Sequence, residues 1–88
     1  MPVISQFYGI IIRMFFKELG EHHLPHVHIS YNEFHAVYDL DGNRLEGEIP
    51  RKQSKLVEAW IIIHHEELNS LWNLMKEGED YFKIDPLK

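Results

Sequence analysis

The chain is 88 residues long, 44% hydrophobic and 12% aromatic, enough for one modest core and a single domain over residues 1–88. Its formal net charge of −5, with histidines neutral, argues against wide non-specific contact with phosphate backbones, which needs clustered Lys and Arg. The lack of cysteine excludes disulfides and thiolate zinc sites and fits a reducing compartment. Arg13 cuts the apolar run Ile10-Ile11-Ile12 far short of a membrane span, so a soluble, cytoplasmic protein is expected.

In chain order, residues 7–16 (Phe-Tyr-Gly-Ile-Ile-Ile-Arg-Met-Phe-Phe) are rich in aromatic and β-branched side chains and are expected to form one strand. Period two turns Tyr8, Ile10, Ile12, Met14 and Phe16 to the core and leaves Arg13 on the opposite face. Gly20 and Pro25 punctuate a loop, and Pro25 holds Leu24 extended and launches the next strand. There Val27, Ile29 and Tyr31 turn inward, while His26, His28 and Ser30 share the other face.

Asn32-Glu33 is read as a two-residue hairpin turn. Residues 34–40 then send Phe34, Ala36, Tyr38 and Leu40 inward and His35, Val37 and Asp39 outward. That register sets Tyr31 opposite Phe34, Ser30 opposite His35 and His26 opposite Asp39. After a turn at 41–43, residues 44–49 alternate again, with Arg44, Glu46 and Glu48 outward. Either Arg44 or Glu46 lies opposite Asp39, according to the loop length. The outward face thus collects His26, His28, His35, Asp39, Glu46, Glu48 and Arg13.

Beyond Pro50, a single helix capped at Ser54 or just before it is expected to run to about Glu77, with Gly78 as its stop. Val57, Trp60, Ile61, His64, Leu68, Leu71, Trp72 and Met75 make its apolar stripe, so both tryptophans read as core. His64 lies within the stripe with Glu67 as its neighbour, and Ile62 falls near the polar side, a hint of a partner surface. Residues 81–84 are expected to add a short edge strand before Pro86. The fold class is α+β: a small antiparallel meander of about four strands with one long helix packed on one face.

Four of the seven histidines fall within residues 22–28. His26 and His28, two apart on a strand, point the same way about 7 Å apart. With His22 from the loop and Asp39 from the neighbouring strand, they form a candidate ligand set for a divalent metal such as zinc, with an open position. The same residues also suit a hydrogen-bonded structural network. A third reading is metal-free RNA cleavage, with one of His22, His26 and His28 as base and another as acid and Arg13 or Arg44 steadying phosphate. The net charge counts against RNA as a ligand.

The pattern as a whole resembles a known family. Met-Pro-Val-Ile-Ser-Gln-Phe-Tyr-Gly-Ile-Ile-Ile-Arg-Met-Phe-Phe at the start is followed by His22-x-x-Pro25-His26-Val27-His28, Tyr31 and Ala36. Gly47-Glu48-Ile49-Pro50, Trp60, His64-x-x-Glu67-Leu68, Trp72 and Ile84-Asp85-Pro86-Leu87 complete it. Together they are similar to the small prokaryotic family called domain of unknown function 4160. The chain departs from the family at Leu24, usually a second proline, and at Glu21, usually aspartate. The resemblance carries no settled activity. It implies a two-gene setting of toxin–antitoxin type, hence a protein-binding component whose partner is a small protein encoded next door. A His-dependent ribonuclease or metal-assisted hydrolase at His22, His26 and His28 is the alternative. Unpaired strand edges also allow a homodimer.

Overall fold

A computed structural model describes residues 2–16 and 24–88. The chain starts with a hairpin rather than the single strand expected over 7–16. β1 (Val3–Phe7) and β2 (Ile10–Arg13) pair antiparallel, with Phe7 opposite Ile10. The two residues between them, Tyr8 and Gly9, both have positive φ, at 47° and 78°. That is the backbone twist a two-residue hairpin needs, and glycine supplies half of it without strain. Tyr8, expected in the core, is consequently an exposed turn residue, whereas Ile10, Ile12 and Met14 are buried as expected.

β3 (His26–Tyr31), β4 (Phe34–Asp39) and β5 (Arg44–Glu48) complete a five-stranded antiparallel sheet in the order β1-β2-β3-β4-β5. The β3–β4 register is the expected one, with Tyr31 opposite Phe34, Ser30 opposite His35 and His26 opposite Asp39. Between β4 and β5 the ladder slips at a bulge: Val37 faces Glu46 but Tyr38 faces Arg44. Asp39 therefore lies opposite neither Arg44 nor Glu46, and its N–H instead bonds the Asn43 carbonyl at 2.9 Å.

The expected long helix is two, α1 (Arg51–Ile63) and α2 (His65–Lys76), separated at His64, whose φ and ψ are −105° and 24°. No glycine or proline marks the break, and backbone bonds bridge it: His64 N–H to Trp60 O, and Leu68 N–H to His64 O. A tertiary contact accompanies it, since His65 Nδ1–H donates to Leu40 O at 2.6 Å and ties the start of α2 to the end of β4. α1 begins at Arg51, three residues before Ser54, with Pro50 in the N-cap position and no side-chain cap. Ser54 instead links sheet and helix. Tyr38 Oη donates to its hydroxyl at 2.5 Å, and that hydroxyl donates to Glu58 at 3.2 Å.

Both helices pack on one face of the sheet. Ile10, Ile12, Val27, Ile29, Ala36 and Tyr38 meet Val57, Trp60, Ile61, Leu68, Leu71 and Trp72 in a single apolar cluster. Each such side chain gains roughly 1.5–3 kcal/mol from burial, which is what holds the helices to the sheet. Residues 81–84 form no strand, but Ile84 N–H bonds Ile4 O at 2.8 Å along the outer edge of β1. Among the described residues no helix is long and apolar enough to cross a membrane.

Candidate functional site

Among the described residues no helix covers the sheet's second face, which is hollow. Arg13 from β2, His28 and Ser30 from β3, His35 and Val37 from β4, and Glu46 from β5 line a concavity of about 630 Å³. Strand alternation puts these side chains on one face, and the observed registers bring them level: Arg13 opposite His28, Ser30 opposite His35, Val37 opposite Glu46. Val37 is only 7% exposed although it points away from the core, so the floor of the hollow is apolar.

A polar line crosses that floor. Arg13 Nη1 donates to Ser30 Oγ at 3.3 Å, and Ser30 Oγ bonds His35 Nδ1, also at 3.3 Å. Arginine has only donors, so the serine oxygen accepts from it; with a second lone pair and one proton, that hydroxyl bonds the imidazole in the direction set by the His35 tautomer. His28 lies beside this line, its ring stacked on Phe15 at a centroid distance of 4.8 Å.

His26 departs from the expected outward set. It is 5% exposed, its ring 5.2 Å from Trp72 of α2 and 5.0 Å from His28, and its Nδ1–H donates to Leu24 O at 2.7 Å. Strand alternation alone would display it, but it opens β3 and is enclosed there at the end of the sheet. His22 lies outside the described residues. Among those described, no three His, Asp or Glu side chains gather as a metal-binding group.

Asp39, expected among the metal ligands, holds a turn. Its Oδ1 accepts the N–H of Asp41 at 2.9 Å and of Asn43 at 2.8 Å, while Oδ2 accepts Asn43 Nδ2 at 3.1 Å. Partial burial pushes its carboxyl up, but the hydrogen bonds from Asn43, Asp41 and Gly42 together hold it below the ordinary aspartate value. A carboxyl lowered by folding stabilises the fold above its unfolded pKa, and that contribution disappears as pH falls through the lower, folded value. Asp39→Asn should therefore cost about 1 kcal/mol at pH 7, allowing for solvent screening. Urea melts of wild type and variant from pH 7 down to pH 2 should show the gap closing below about pH 4; a gap constant with pH would refute this account.

His64 and His65 brace the helices. His64 Nδ1 meets Glu67 Oε1 at 2.6 Å, the expected pair, and its ring packs on Trp60 at 5.4 Å. His65 accepts Asn69 Nδ2 at Nε2, 3.1 Å away, so both its nitrogens are engaged. Sequence reasoning singled out neither His65 nor the Arg13–Ser30–His35 line. The line was foreshadowed by the shared face of those three residues and by the expected pairing of Ser30 with His35.

The fold and site together define a small α+β protein whose helices cover one side of an antiparallel sheet and leave the other side hollow and polar-rimmed. Within that class the comparison is direct: residues 9–73 match the family model described as Domain of unknown function (DUF4160), and the chain belongs to that family. The match spans the sheet from β2 onwards and nearly all of both helices, including every residue of the hollow. No curated protein and no solved structure matches the chain.

Proposed function

We propose that the protein works by binding, as one component of a toxin–antitoxin-like pair, and that the small protein encoded beside it docks in the hollow sheet face. The observation that carries this reading is the apolar floor at Val37 inside a concavity of about 630 Å³, large enough for several side chains of a partner. The sheet edges are less suited to docking. Ile84 lies along β1, while β5 carries a bulge, a glycine at φ 70° and the charges of Arg44, Glu46 and Glu48. Such features discourage strand addition. They count equally against edge-to-edge homodimers.

The test is co-expression with the neighbouring gene product, followed by affinity measurement on the purified pair. Val37→Gln in the floor, or Ile11→Glu at the half-buried β2 residue opposite Ser30, should weaken the complex about thirtyfold or more, as loss of a central anchor does. Ile62→Glu, at a residue 67% exposed on α1, should leave affinity unchanged. Circular dichroism confirms that each variant folds. Loss of binding in Ile62→Glu alone, or no complex with the wild-type protein, overturns the reading.

A further inference from the structure

The hollow has a chemical direction. On the β2 side Arg13 offers guanidinium N–H groups beyond the one given to Ser30, and His35, exposed on β4, adds an imidazole whose Nε2 is not used by the Ser30 bond. Both bonds of the internal line are 3.3 Å long, so a stronger acceptor can displace them at little cost. On the β5 side stand the carboxylates of Glu46 and Glu48, opposite Val37 and His35. Donors therefore gather over β2 to β4, and acceptors over β5, across an apolar floor that strengthens any charge pairing made on it.

We propose that Arg13, Ser30 and His35 form a carboxylate-binding subsite that takes an aspartate or glutamate side chain of the docked partner. This rests on the docking reading above and adds the chemistry of the anchor. The planar fork of Arg13 matches the two oxygens of a carboxylate, and the Ser30 hydroxyl and, in its Nε2–H tautomer, His35 supply further donors. A polyphosphate chain fits less well, because continuing it across the sheet brings it against Glu46 and Glu48 in a chain of net charge −5. A peptide needs to place only one negative charge over Arg13.

The experiment uses the full ¹⁵N-labelled chain at pH 7, titrated at constant ionic strength with sodium acetate, sodium phosphate or sodium chloride. Acetate is expected to give saturable shifts confined to the Ser30 and His35 amides and the Arg13 Nε–H group. Arg13→Gln should weaken that saturation about tenfold or more, and Ser30→Ala by a smaller factor, each variant keeping a dispersed spectrum. Acetate shifts no larger than those of chloride, saturation by phosphate alone, or indifference to both substitutions would overturn the proposal. Phosphate alone would reassign the subsite to a phosphate-bearing ligand. The two readings fail separately: acetate binding without a partner complex removes only the docking, and a partner complex without acetate binding removes only the subsite.

Discussion

Replacing Gly47 with alanine is expected to lower Tm by about 12–24 °C, the shift that about 3 kcal/mol produces in a domain of this size. A Cβ built on Gly47 would stand 2.3 Å from the carbonyl oxygen of His35 and 3.1 Å from Ala36 Cα, both backbone atoms of β4 that cannot swing aside. The residue also sits at φ 70°, where an L side chain adds about 1–2 kcal/mol of strain. Overlap and strain act together, and β5 must separate from β4 to relieve them. Gly78→Ala makes the control: its φ is 76°, but nothing lies within 4 Å of the new carbon. Only the strain applies there, about 1 kcal/mol and about 4–8 °C. Thermal melts of the two variants should differ by that margin, and equal shifts would show that the close approach to His35 is unimportant. The carbonyl at risk belongs to the residue that ends the polar line, so any Gly47→Ala protein that folds should also bind acetate more weakly.

The hairpin of β3 and β4 was legible because three signals agree in it: two alternating stripes, a two-residue turn at Asn32-Glu33, and opposed partners that suit each other. The helical stripe was legible for the same reason, since Val57, Trp60, Ile61, Leu68, Leu71 and Trp72 repeat at the helical period and are all buried. The β1–β2 hairpin escaped because its turn begins with Tyr8 in a left-handed conformation, inside a run of aromatic and β-branched residues that reads as unbroken strand. The bulge between β4 and β5 depends on how the 41–43 turn closes on Asp39, which local propensity does not specify. His26 escaped because alternation describes a flat strand, whereas its surroundings include Trp72, which arrives from a helix far along the chain. The hollow's polar line needed the β2–β3 register, and hence the partner of Arg13, before Arg13 could be set beside Ser30.

Trp60 joins core and tail, and truncating it is the second large effect expected. The side chain is 0% exposed, its ring lies 5.8 Å from Phe7 and 5.4 Å from His64, and Nε1–H donates to Asp85 O at 2.8 Å. Trp60→Ala removes the ring and the bond together and should cost about 3–5 kcal/mol, a large share of the roughly 5–15 kcal/mol typical of a small domain. Trp60→Phe separates the two roles. Most of the apolar contact survives, but the Asp85 carbonyl loses its donor next to Ile84, whose own N–H bonds Ile4 O. The tail should then open locally while the sheet stays closed. Amide exchange in Trp60→Phe is expected to speed at Ile84 about tenfold more than at Val27 or Ile29, the gap that one lost hydrogen bond supports. Uniform acceleration at all three amides would mean that the indole bond adds only to global stability. Selective loss at Ile84 would identify Trp60 as the latch that keeps the tail along β1 and shields that edge from other strands.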